Sequence, residues 1–428
     1  MTVLLLATLD TKGNEAAFLR DRLLELGVKV RLVDTGCLGT PAVTADITRE
    51  KFYSLGPAPL EDLVEAADRG RAITAATESA SALAVAELAT GSLQGVIGIG
   101  GSAGTTIATS AMRALPLGVP KLMVSTLASG PVRPWVGDAD LMMLNSVVDI
   151  LGLNRISRSV LDSAARAMAG LATLAPAPAS SDDRKLVAAT MFGVTTPCIE
   201  RARQGLEEAG FEVLVFHATG NGGQAMESLI ADGLISGVLD ITTTELADEQ
   251  VGGILSAGPD RLTAAGRTGV PQVISVGATD MVNFGPRKDI PSQFADRLFY
   301  EHNPTVTLMR TTVEENRRLG REIAEKAAMS TGPTTLMLPL KGVSAIDGDG
   351  QPFDDPEARD ALFTAIRDFR GTADLLELPH HVNDPEFADA AVRRLIDSIN
   401  QKGALTCPPR QKPQTGSTGS FDAVGQPP

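Results

Sequence analysis

Gln94-Gly95-Val96-Ile97-Gly98-Ile99-Gly100-Gly101-Ser102-Ala103-Gly104-Thr105-Thr106 is the stretch that decides the fold. Gln94 to Ile99 is a short apolar run rich in β-branched residues and reads as a strand. Three glycines follow within the next five residues, and Thr105 to Leu115 then takes up a helical apolar period. Lys121 to Ser125 is the next strand. A strand that passes through glycine into a helix and returns as a strand is a βαβ unit. Upstream, Val3 to Ala7 predicts a strand, Asn14 to Leu26 a helix and Val28 to Val33 a second strand. Phe18, Leu19, Leu23, Leu24 and Leu26 form the helix's apolar stripe, and Gly27 stops it. Such alternation predicts an α/β fold with a mainly parallel sheet covered on both faces.

Halfway along, the pattern restarts. Ala172 to Lys185 has no apolar period and reads as a connector rich in Ala, Pro, Ser and Asp. After it, Lys185 to Thr190 repeats the opening strand, Pro197 to Ala209 the helix, Gly210 the stop, and Val213 to Phe216 the next strand. Gly118-Val119-Pro120-Lys121-Leu122-Met123-Val124-Ser125 finds an echo in Gly269-Val270-Pro271-Gln272-Val273-Ile274-Ser275-Val276. Two landmarks in the same order point to a duplicated unit. Beyond Gly332, a strand (Thr334 to Leu340) and helices at Pro356 to Phe369 and Pro385 to Asn400 complete the second half. The end of the chain, rich in Pro, Gly, Ser and Thr, predicts a disordered tail. The expected division is 1–175, 185–402 and a tail over 403–428.

The 428 residues exceed one ordinary core, and 38 Lys plus Arg against 52 Asp plus Glu give −14. That balance lacks the basic footprint of a nucleic-acid binder. It leaves room for a local anion site, because backbone amides bind phosphate without net positive charge. Cys37, Cys198 and Cys407 are too scattered for a disulfide framework or a zinc site, which suits a reducing cytoplasm. The apolar start has no basic residues and stops at Asp10, so it reads as a buried strand and not a signal peptide. No stretch reaches the ~18 apolar residues of a membrane span.

Loops at the carboxyl ends of parallel strands carry the chemistry. Asp10, Thr11, Lys12 and Gly13 follow the first strand and open a helix, a setting that favours an anion. Gly100, Gly101, Ser102, Gly104, Thr105 and Thr106 follow the strand above, with backbone freedom to approach a phosphate and hydroxyls to bind it. The same stretch also fits GxSxG, which would make Ser102 a nucleophile with His217 later in the chain. No GxxxxGK[ST] occurs, so a standard P-loop is excluded. In the second half, polar loops at His217–Glu227, Asp240–Glu245 and Gly277–Gly285 are expected on one sheet edge. They would bring His217, Glu227, Glu245, Asp280 and Asn283 to one pocket suited to acid–base work. His217, Glu245 and Asp280 are its expected catalytic groups, acting on a small oxo-acid or acyl substrate. No zinc spacing is present; Mg²⁺ held by carboxylates and phosphate is the one metal that fits.

Ala7-Thr8-Leu9-Asp10-Thr11-Lys12-Gly13, Gly100 to Thr106, His217-Ala218-Thr219-Gly220 with Gly222 to Glu227, and Asp280-Met281-Val282-Asn283-Phe284-Gly285 occur in order. With these motifs, over about residues 2 to 400, the chain resembles the ATP-binding family named after the tomato mosaic virus resistance protein. The resemblance implies two Rossmann-like domains, ATP bound by the Asp10–Gly13 and Gly100–Thr106 loops of the first, and self-association as a homodimer or higher oligomer. It also marks one departure, Ala103 where the family's better-known loop has glycine.

Overall fold

In the computed structural model, which describes residues 2–174 and 184–406, the chain divides into two units at Asp183/Arg184. The first unit is built on β1 (Thr2–Ala7), β2 (Val30–Asp34), β3 (Leu93–Gly100), β4 (Lys121–Ser125) and β5 (Met142–Asn145). All pairs are parallel, in the order β2-β1-β3-β4-β5. Side chains alternate across a strand, so a strand covered on both faces must be apolar throughout. β1 shows this directly. Val3, Leu5 and Ala7 enter a core with Leu19, Leu23, Leu161 and Met168, from the helices Leu9–Glu25 and Arg155–Thr173. Leu4 and Leu6 enter the opposite core, with Ala76, Ala80, Ala108 and Ala111 from the helices Arg69–Ala89 and Ser102–Arg113. Each buried leucine contributes roughly 1.5–3 kcal/mol.

The second unit repeats this winding. It contains β6 (Leu186–Met191), β7 (Glu212–His217), β8 (Gly237–Thr242) and β9 (Gln272–Gly277). An antiparallel insertion follows, β10 (Met281–Phe284), β11 (Phe299–Asn303) and β12 (Val306–Arg310). β13 (Thr334–Pro339) and β14 (Asp374–Leu378) then complete the main sheet. Its order is β14-β13-β9-β8-β6-β7, the first unit's order with one strand added at an edge. The echo seen in the sequence falls on equivalent strands, β4 and β9, each preceded by a glycine of positive φ (Gly118 at 88°, Gly269 at 67°).

Several boundaries differ from expectation; the helix expected from Thr105 begins at Ser102, so Ser102 to Gly104 form its first turn and not a loop. The first helix starts at Leu9, with a kink at Lys12 (φ −126°, ψ 18°), so Asp10 to Gly13 form its opening turns and not a loop. The last helix, Pro385–Thr406, continues past the expected tail start at 403, and residues 407–428, with Cys407, lie outside the described residues. Of the expected connector, Ala172 and Thr173 are helical and 175–183 lie outside the described residues.

Candidate functional site

In a doubly wound sheet the strand order reverses at one point, and ligands enter the crevice at the carboxyl ends of the strands there. In the first unit that point lies between β1 and β3. A cavity of about 360 Å³ opens beside it. Thr8, Asp10 and Thr11 form one wall, Ala103 and Ile107 a second, and Thr35 to Leu38 a third. Tyr53, Leu63, Ala72 and Ile73 close the apolar remainder, and Ala67, Asp68 and Arg69 complete the lining. The first turns of three helices therefore meet at this cavity, each carrying the positive end of its dipole.

Their termini are differently occupied. At the first, Asp34 accepts from the amides of Leu9 (3.1 Å) and Gly36 (2.9 Å) and pairs with Arg49 (2.9 Å), an internal anion on the helix end. At Arg69–Ala89, Asp68 caps the amide of Arg71 (3.0 Å). Ser102–Arg113 begins at Gly101 with no side-chain cap, and its opening amides at Ser102, Ala103 and Gly104 have no carbonyl to reach within the helix.

The residues expected to hold a nucleotide divide accordingly. Asp10 and Thr11 line the cavity, and one Asp10 oxygen accepts from the Gly39 amide (3.1 Å) while Oδ1 is buried without a hydrogen bond. Lys12 instead donates to the carbonyl of Ile150, and Gly13 packs against Ala42, whose Cβ would lie 2.8 Å from any added methyl. Gly101 and Ser102 stand at the uncapped terminus. Gly100 and Gly104 face each other: a Cβ on Gly100 would meet Gly104 Cα at 2.8 Å, so both serve close strand–helix packing. Thr105 is buried against Ser125 (2.7 Å). Thr106 accepts from the indole of Trp135 (3.1 Å). Burial pushes the Cys37 thiol, on the cavity wall, above its usual range.

In the second unit the expected catalytic groups do not meet. His217 ends β7 exposed, against the ring of Phe192. Glu245 is fully buried; its carboxylate accepts from the amides of Gly220 (2.7 Å) and Gly223 (3.1 Å) and from Arg261 (2.6 Å). Arg261, itself 1% exposed, also binds Asp240 through two nitrogens and reaches Glu227. Glu227 in turn takes the amides of Leu262, Thr263 and Ala264. Asp280 belongs to another cluster, with Ser344 (2.8 Å) and the neighbouring charges of Asp347 and Arg310. Burial, with repulsion from Asp347, raises Asp280 to about 7. Asn283 pairs with Asp248 (2.7 Å), whose burial likewise raises it to about 7. The three loops do share the carboxyl edge, but their side chains are consumed in separate internal networks, so the single pocket expected from the sequence is not formed.

Sequence reasoning missed Arg69, Leu63, Ile73 and Tyr53 on the cavity wall. It also missed Arg261, an isolated arginine between unremarkable neighbours.

Sheet order, paired units and cleft define the class: a tandem of doubly wound, Rossmann-like α/β units with an open crevice in the first. The chain belongs to the uncharacterised protein family UPF0261, matching its N-terminal domain over residues 1–177 and its C-terminal domain over 184–399. It is 45% identical over 401 residues to a UPF0261 protein of Clostridium tetani, covering 93% of this chain and 99% of that one. A UPF0261 protein of Mesorhizobium japonicum is 46% identical over 391 residues, 91% of this chain and 97% of that one. The ToMV resistance protein Tm-1 of Solanum lycopersicum is 44% identical over 326 residues, 74% of this chain but 43% of the longer plant protein. No helix among the described residues is long and apolar enough to cross a membrane.

Proposed function

We propose that the first unit binds ATP at the β1/β3 crevice. The observation that carries this reading is the cavity itself, an apolar recess placed at the uncapped start of the helix Ser102–Arg113. A nucleotide has matching halves. Its base would lie on Leu63, Ile73 and Ile107, as suits a chain with so few aromatics, and its phosphates on the amides of Ser102 to Gly104. Mg²⁺ would arrive on the phosphates, since no group of three or more His, Cys, Asp or Glu able to hold a metal occurs among the described residues. Self-association belongs to the same reading; β5 is an edge strand with Met142 52% exposed, a surface that a second copy could cover.

Ala103→Leu is the sharpest test, because it fills the cavity from a half-buried position without touching the packing glycines. Calorimetric titration of the full chain with ATP and Mg²⁺ should give saturable heat that this variant weakens at least ~10-fold, at an unchanged unfolding midpoint. No heat at millimolar ATP from folded protein overturns the reading.

A further inference from the structure

Asp10, Asp68 and Arg69 are the acidic and basic side chains that line the cavity. Asp10 has one oxygen on the Gly39 amide, and Asp68 is held by the Arg71 amide. Arg69 alone has no hydrogen-bond or ion-pair partner among the described residues, and it is exposed. It stands at the first position of the 21-residue helix Arg69–Ala89, whose next turn supplies Ala72 and Ile73 to the apolar wall. A guanidinium presents up to five donors in a fixed fork that matches a phosphate, and here none is engaged by the protein. In a chain of net charge −14, this unengaged cation beside an apolar recess is available to an anion.

We propose that Arg69 is the anion clamp of this cleft, pairing with the phosphate tail of a nucleotide and so selecting nucleotides over nucleosides. This rests on the nucleotide reading for the identity of the apolar head, though not for the anion. The clamp is a binding contact and breaks no bond. It shares the charged tail between two elements, the amides opening Ser102–Arg113 and the side chain opening Arg69–Ala89, so a ligand lacking that tail loses both.

The test titrates the full chain, as wild type, Arg69→Gln and Arg69→Lys, with ATP, adenosine and inorganic tripolyphosphate at low and high salt. Arg69→Gln should weaken ATP and tripolyphosphate roughly tenfold, leave adenosine unchanged and flatten the salt dependence. Arg69→Lys should restore charge but only part of the affinity. Unchanged ATP and tripolyphosphate binding in Arg69→Gln, or equal weakening of ATP and adenosine, overturns the clamp. Arg69-dependent binding of tripolyphosphate without ATP binding keeps the clamp and removes the nucleotide reading. Binding of none of the three by wild type removes both.

Discussion

Both units carry glycine-rich turns at the carboxyl edge of a parallel sheet, and the two turns are used in opposite ways. In the second unit, Gly220 and Gly223 give their amides to Glu245, whose carboxylate lies so close that a Cβ on Gly223 would meet it at 2.3 Å. Arg261 forms ion pairs with that carboxylate and with those of Asp240 and Glu227. The cradle is filled by the protein's own anion. In the first unit, the amides that open Ser102–Arg113 meet no side-chain cap, and the recess beside them is open. Glycines that expose amides therefore do not by themselves signal a ligand; what decides is whether a carboxylate of the same chain already lies on them. The second crevice is also crossed by its own chain: the Ala345 amide donates to Val194 (2.9 Å), and Val194, Ala278, Met281, Leu308 and Phe353 form an apolar cluster there.

The contrast can be broken most forcefully at Arg261. Arg261→Met leaves three carboxylates near one another without their cation, and removal of one partner from a buried ion cluster costs about 3–5 kcal/mol. Urea unfolding should show a loss of that size in the second unit, while the proposed binding of ATP to the first should not change. A change below ~1 kcal/mol would mean the internal filling is not what stabilises this edge.

Asp280 sharpens the contrast through pH. Its folded value of about 7 lies above the ordinary carboxylate value of 3.8, so the folded state holds a proton that the unfolded state releases. Stability from this group is complete below about 4 and declines as pH rises to about 7, by at most ~4 kcal/mol. Asp280→Asn mimics the protonated form and should remove most of that decline. Identical melting-temperature profiles from pH 4 to 8 for variant and wild type would refute the assignment.

The smallest effects separate glycines within the first unit's own loop. Gly100→Ala forces a methyl against Gly104 Cα and should lower stability by about 1–3 kcal/mol. Gly101→Ala meets nothing nearer than Thr126 Oγ1 at 3.6 Å and should cost under ~0.5 kcal/mol. Equal losses in chemical denaturation would erase the distinction between packing and cap glycines.

Much of the fold was legible because β1, β3, β4 and the helix Pro356–Phe369 are marked by β-branched runs or apolar stripes and by glycine stops. Arg69–Ala89 escaped notice for a physical reason. Its buried face is Ala72, Ala75, Ala76, Ser79, Ala80, Leu83 and Ala84, five of them alanine, and its other positions also include small residues, so the apolar contrast between faces is slight. With that helix went the cavity wall and Arg69. The convergent second-unit pocket failed differently. Shared sheet edge is topology, which the sequence carries, whereas the partner each carboxylate takes depends on Arg261 and Ser344, 16 and 64 residues away from Glu245 and Asp280.

The hydrogen bond from Trp135 to Thr106 has a spectroscopic consequence. Trp135 is the only tryptophan of the chain, and its indole is fixed to the same helix that presents Ala103 and Ile107 to the cleft. Excitation near the red edge of protein absorption therefore selects one chromophore, in one unit, one turn from the cavity wall. The molecule carries its own optical probe of that helix and needs no label to be read.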